Sequence, residues 1–234
     1  MGPVAVAIAL GYGVAALGLL GRRRLREPWL LAAGAAGALA FQVALLLTSP
    51  IQLLFASLFG WDMDAYSTSL GIGLAGIAIT ASVNEVFKLA AALLLWSLSE
   101  RRGGVLAFGA ASGAGFGIVG AYQVILLALA TRALPISSPA GFAASLVQQF
   151  AFVAMSAATG AVAAHGMARR RLGTYLAAAI LCESPFSALG LLVGLRVYTS
   201  LLWAVLSLGV ALLLLASAFV LSLRPAPAAD SAAP

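Results

Sequence analysis

Two ionisable residues lie inside an apolar segment that is long enough to cross a bilayer. Glu85 and Lys88 stand near the middle of the stretch from Leu70 to Trp96, within Asn84-Glu85-Val86-Phe87-Lys88. Residues at positions i and i+3 share one side of a helix, so the carboxylate and the ammonium can pair. On insertion scales each charge costs at least about 2.5 kcal/mol at the bilayer centre. The pattern therefore predicts either a functional site or a structural ion pair that fixes helix packing.

A second acid, Glu183, falls about halfway along a later apolar segment. Pro185 follows it closely and frees a backbone carbonyl one turn earlier. If the two segments pack together, Glu85 and Glu183 would share a polar cavity with Lys88 and titrate as a coupled set. The polar side chains expected around that cavity are those of Asn84, Ser156 and Ser187.

The composition is that of a helical membrane protein. The 234 residues are 63% hydrophobic and 9% charged, whereas soluble domains carry about 25% charged residues. A single cysteine, Cys182, excludes an internal disulfide and a cysteine-based metal site within one chain. A single histidine, His165, excludes a histidine cluster and is interpreted as an interfacial residue rather than a ligand. We predict no metal site and no cofactor.

Turn residues and charges divide the chain into segments of the length that a span requires. We predict one all-α domain over residues 1–224, with seven transmembrane helices, and a disordered tail over residues 225–234 that is rich in Pro, Ala and Ser. In an alternative for the second span, the helix bends at Pro50 and continues to Phe59. The predicted spans cover residues 2–20, 28–47, 70–97, 105–130, 142–164, 174–193 and 201–223.

The arginines between the spans predict the orientation of the chain. If the N-terminus is outside, the cytoplasmic loops and the tail hold four, two, three and one arginines, and the outer loops hold Arg132 and Arg196. This bias follows the positive-inside rule and predicts an outside N-terminus and a cytoplasmic C-terminus. The net charge of +6 is therefore a topology signal, and we expect no nucleic-acid binding. The predicted location is the cell membrane.

Glycines recur at four-residue intervals in the fourth segment. Gly109, Gly113 and Gly117 share one face of a helix, and Gly120 follows one turn later. Small residues spaced in this way let a neighbouring helix approach closely. We therefore predict that these four residues pack helices together.

The order of these motifs resembles a superfamily of membrane proteins that includes the PrsW-type and YhfC-type intramembrane proteases and the CAAX-processing proteases. The resemblance covers about residues 70 to 200 and rests on order and spacing. Protease-like members open their site with Glu-Glu-x-x-Arg/Lys. Here Asn84 replaces the first acid, while Glu85 and Lys88 match the second acid and the base.

Other family positions differ in this chain. Gly120 stands where the glycine-rich helix of those proteases carries a glutamate, and Met155-Ser156 and Glu183 stand where they carry histidines. The family chemistry uses several acids and histidines to activate water. The pattern is closer to the anterior-pharynx-defective subunit of gamma-secretase, which resembles this chain in its seven spans, its Glu-Val-Phe-Arg-like motif and its Phe-Gly-Ile-Ile sequence. That subunit is non-catalytic and organises partner membrane proteins.

Three functional hypotheses follow. The first is a degenerate, non-catalytic member of the superfamily that acts as a scaffold or binding partner for other transmembrane proteins or peptides, in contact with membrane lipids. The second is an intramembrane protease in which Glu85 activates water, Glu183 is the second acid and Lys88 orients Glu85. A divalent metal is compatible only with this second hypothesis. The third, ranked last, is a small transporter that uses the same acids as a proton relay.

Overall fold

The chain forms seven α-helices over the residues that the computed structural model describes, which are 2–21, 27–62, 69–100, 104–131, 139–194 and 200–223. The predicted all-α class is confirmed, since these residues contain no strand. The predicted tail and most of the loop arginines lie outside the described residues. In chain order the helices are α1 (Gly2–Gly21), α2 (Pro28–Phe59), α3 (Leu70–Leu98), α4 (Val105–Thr131), α5 (Pro139–Ala168), α6 (Leu172–Gly194) and α7 (Ser200–Leu223).

Helix α2 runs through Pro50 without ending, as in the alternative with the longer second span. A proline inside a helix removes one backbone hydrogen bond. Close to this position the Gln52 amide donates to the carbonyl oxygen of Gly76 (3.3 Å) and to Thr80 Oγ1 (3.1 Å), both on α3. The helix ends at Phe59, and Gly60, with a left-handed φ of 65°, forms its C-terminal cap.

Helices α4 and α5 form the centre of the bundle. Helix α4 contacts α1, α2, α3 and α5, and α5 contacts α1, α3, α4, α6 and α7. The core around them is built largely from alanines, among them Ala110, Ala154 and Ala158. Small side chains keep the helix axes close, as is common where helices pack inside a membrane.

Glycines set the spacing between α4 and its neighbours. A Cβ atom on Gly109 would collide with the backbone of Gly160, and one on Gly113 would collide with the backbone of Ser156. At Gly117 an added Cβ would lie 2.8 Å from the Cα of Val153. At Gly120 it would lie 2.6 Å from the Phe152 ring. All four glycines predicted to pack helices thus stand at close contacts with α5.

The opposite side of α4 meets α2 in the same way. A Cβ atom on Gly115 would collide with the backbone of Gly34, and one on Gly37 with the backbone of Ser112. Phe41 and Phe116 pack edge to face beside this crossing, with their ring centroids 4.9 Å apart. Helix α4 is therefore held between two helices at backbone contact distance.

Large apolar side chains cover the outside of the bundle. Leu46, Leu213 and Leu181 are exposed by 73%, 71% and 70%, whereas most of the buried apolar residues are alanines. This distribution matches a protein whose solvent is lipid. Aromatic residues lie at both ends of α2, with Trp29 at one end and stacked Phe59 and Trp61 at the other, as at membrane interfaces.

Four helical segments are long and apolar enough to cross a bilayer, as judged by length and composition over the described residues: Pro28–Phe59, Leu70–Leu98, Val105–Leu126 and Ala143–Ala168. Shorter apolar segments lie in α1, α6 and α7. These findings identify a helical membrane protein. Seven spans and the orientation of the termini stay predictions.

Candidate functional site

Helices α3 and α6 meet at a buried ionic network. The Lys88 ammonium lies 2.5 Å from Glu85 Oε1 and 2.9 Å from Glu183 Oε2. The side chains of Lys88 and Glu85 are 0% exposed, and that of Glu183 is 1% exposed. The two acids that the sequence placed in separate spans thus share a single cation.

The ammonium of Lys88 has three hydrogen-bond acceptors from three helices. Glu85 on α3 and Glu183 on α6 accept two of its hydrogen bonds, and Thr159 Oγ1 on α5 accepts the third at 3.0 Å. Three is the full donor capacity of an ammonium group. Lys88 therefore joins three helices while leaving no donor unsatisfied.

The two carboxylates are bound unequally. Glu183 Oε1 accepts a hydrogen bond from Asn84 Nδ2 (2.8 Å), so both of its oxygens have partners. Glu85 Oε2 is buried and has no hydrogen-bond partner. Since most buried polar atoms are hydrogen-bonded, this oxygen is the unusual feature of the network.

Helix α4 closes the network from another side. The Ser112 hydroxyl donates to the backbone carbonyl of Lys88 (2.8 Å), which fixes α4 against α3. The Phe116 ring is fully buried, and its centroid lies 5.4 Å from Lys88 Nζ. This distance is within the range of a cation–π interaction. Phe116, which stands between Gly115 and Gly117, thus packs against the cation.

The network holds two carboxyl groups and one ammonium. If both acids are ionised, it carries one net negative charge with almost no exposed surface, which is a costly state. One proton on either acid would neutralise it, and a proton shared with Glu85 Oε2 would give that oxygen a hydrogen-bonding role. The arrangement is therefore chemically able to hold a cation between two acids and to bind one proton.

The structure brings together four of the sequence-predicted residues: Asn84, Glu85, Lys88 and Glu183. Ser156 is buried, but its hydroxyl has no hydrogen-bond partner, and its backbone carbonyl accepts from Thr159 (3.4 Å). Ser187 is partly buried on α6, four residues beyond Glu183. A polar cavity lined by these serines stays a prediction.

His165 lies apart from the network, near the end of α5. Its Nε2 atom accepts a hydrogen bond from Arg169 Nε (3.3 Å), and its ring packs edge to face against Tyr175 at 5.4 Å. Across the described parts of the chain, no group of three or more His, Cys, Asp or Glu side chains is placed to hold a metal ion.

Sequence reasoning missed three contributors to the site, which are Thr159, Ser112 and Phe116. Thr159 carried the clearest signal, as an uncharged polar residue inside an apolar segment. A single sequence does not show which span faces α3, so it cannot place Thr159 beside the two acids.

No model of a known protein family matches this chain, and no protein of curated function matches it either. The relationship to the intramembrane-protease superfamily therefore stays a prediction from the motifs.

Proposed function

We propose that this protein is a multi-pass protein of the cell membrane whose helix bundle acts as a non-catalytic scaffold or binding partner for other transmembrane proteins or peptides. The observation that carries the proposal is the saturation of Lys88 by Glu85, Glu183 and Thr159 in a buried position. In this function the network stabilises the bundle and makes no contact with a substrate.

Burial separates the candidate acids from the water that hydrolysis would consume. A general base must lie within hydrogen-bond reach of the proton that it removes. The Glu85 side chain is 0% exposed. Glu183 is engaged through both oxygens by Asn84 and Lys88. These contacts favour a structural role for both acids.

The proposed topology has seven spans, an outside N-terminus and a cytoplasmic C-terminus. Its support is the arginine bias between the apolar segments together with the apolar outer surface of the bundle. That surface is in contact with lipids and is available to partner helices.

A comparison of two activities tests the proposal. Wild type, Glu85→Gln and the matched control Val86→Ala, at a neighbouring exposed position, are purified from membranes after cross-linking, and the same samples are assayed for cleavage of a membrane-embedded peptide. We expect wild type and both variants to retain the same stoichiometric membrane partner and to show no cleavage. Cleavage by wild type and Val86→Ala that folded Glu85→Gln lacks would contradict the scaffold function.

The second candidate is an intramembrane protease, which the unpartnered Oε2 atom of Glu85 favours. In it, Glu85 takes a proton from water, Glu183 is the second acid and Lys88 orients Glu85. The reaction would require α3 and α6 to separate so that water and a peptide reach Glu85. The cleavage assay above decides between the two candidates.

A further inference from the structure

A polar side chain occupies the outward face of α2. Gln42 is exposed near the middle of this helix. Leu39, Val43 and Leu46, which are exposed by 70%, 42% and 73%, surround it. Positions i, i+3, i+4 and i+7 share one face of a helix. An amide therefore lies within an apolar stripe, at the depth where lipid offers no hydrogen bonds.

Gln42 has one hydrogen-bond partner among the residues that the structure describes. Gln123 Nε2 on α4 donates to Gln42 Oε1 over 3.2 Å, at an exposed position. That bond uses the NH2 group of Gln123 and the carbonyl oxygen of Gln42. The Nε2 group of Gln42 and the Oε1 atom of Gln123 remain without a bonded partner among the described contacts. Exchanging O and N in both amides would again leave one side-chain NH2 group and one side-chain carbonyl oxygen without a partner.

The Gln42 NH2 group is a donor and the neighbouring Gln123 Oε1 atom is an acceptor, so two copies of this surface can satisfy each other's hydrogen bonds. We propose that a second copy of this chain docks on the face of α2 formed by Leu39, Gln42, Val43 and Leu46. The Gln42 Nε2 group of each copy donates a hydrogen bond to the Gln123 Oε1 atom of the other copy. A twofold axis along the membrane normal brings identical residues to the same depth, so the donor and acceptor of one copy face those of the other without adjustment. Glutamine side chains stabilise helix association in membranes by such bonds.

Disulfide trapping tests the position of the contact. Full-length protein carrying Cys182→Ser receives a single new cysteine, either Leu39→Cys or the matched control Leu213→Cys on α7, whose native residues are exposed by 70% and 71%. The variants are oxidised in native membranes. We expect covalent dimers for Leu39→Cys and only background for Leu213→Cys. Equal yields from both, or a disulfide between Leu39→Cys and a different polypeptide, would overturn the proposal.

A dissociation measurement tests the amides themselves. Energy transfer between labelled copies in liposomes, over a series of protein-to-lipid ratios, gives the dimer dissociation constant for wild type, Gln42→Leu and Gln123→Leu. Loss of two symmetric hydrogen bonds should weaken the dimer roughly five- to tenfold. Thermal unfolding at high dilution measures separately what the loss of the Gln42–Gln123 hydrogen bond costs the monomer. A dissociation constant that neither substitution moves would overturn the proposal. Scaffold binding of other proteins is measured separately and can fail or succeed without affecting this result.

Discussion

Lys88 and Glu183 are separated by 95 positions in the sequence, yet the Lys88 ammonium lies 2.9 Å from Glu183 Oε2. This contact joins α3 to α6. The same ammonium is paired with Glu85 one turn earlier on its own helix. Lys88 therefore forms one ion pair within its own helix and a second one with a distant segment of the chain.

Removal of the cation should be more harmful than removal of one acid. Lys88→Met leaves two carboxyl groups without a cation in a buried site and should lower the free energy of unfolding by about 3–5 kcal/mol. Glu183→Gln keeps the Lys88–Glu85 pair and removes the excess negative charge, so its cost should be clearly smaller. Unfolding in detergent micelles measures both.

The triple variant Glu85→Gln, Lys88→Met, Glu183→Gln is the control, because it contains no charge at the site. It should be more stable than Lys88→Met alone, since residues in one network are not additive. Equal stability of Lys88→Met and Glu183→Gln would show that charge balance does not govern the site.

The hydroxyl of Thr159 should contribute to the free energy of unfolding through its hydrogen bond with Lys88, and not only through the space that it fills. Thr159→Val removes the third acceptor of the Lys88 ammonium and should cost about 1–3 kcal/mol of unfolding free energy. Thr159→Ser keeps an acceptor at this position and should recover most of that loss. If valine and serine were equally tolerated, the hydrogen bond from Lys88 would contribute nothing measurable.

The crossing of α2 and α4 should not accept a methyl group. A Cβ on Gly115 would collide with the backbone of Gly34, so Gly115→Ala should destabilise the bundle by about 1–3 kcal/mol. Gly209→Ala is the matched control on α7, where an added Cβ meets nothing within 4 Å. There alanine should be neutral or stabilise by up to about 1 kcal/mol through helix propensity. Thermal unfolding compares the two, and similar losses at both positions would refute a specific crossing.

The seven-span topology predicts the side of the membrane for each terminus. A fluorescent protein fused after residue 224 should fluoresce, and alkaline phosphatase fused there should be inactive, because both report a cytoplasmic C-terminus. The same reporters before residue 2 should give the opposite result. Active phosphatase at the C-terminus would contradict the predicted topology, in either the number of spans or the orientation of the chain.

The helices could be predicted from sequence because each is a long apolar segment between turns or charges. The observed bounds of α3, Leu70–Leu98, differ from the prediction by a single residue at the C-terminal end. Pro50 was the ambiguous position, since a proline can end a helix or stay inside it. In the structure Pro50 lies inside α2, and Gln52, two residues later, forms hydrogen bonds with α3.

The site was predictable residue by residue but not as an assembly. Glu85, Lys88 and Glu183 stood out because charges in apolar segments are costly. That α3, α5 and α6 converge at Lys88 depends on tertiary packing, which neither periodicity nor spacing encodes. The saturation of the ammonium by Thr159 depends on the same packing and could not be foreseen.

Lys88 is the only lysine of the chain, and its buried ammonium gives the molecule a built-in chemical reporter. Apart from the N-terminal amine, the Lys88 side chain carries the only primary amine with which an acylating reagent can react. That amine can react only when α3, α5 and α6 separate and the proton leaves. The rate of its modification, followed by mass spectrometry, therefore measures how often the centre of the bundle opens, without any introduced label.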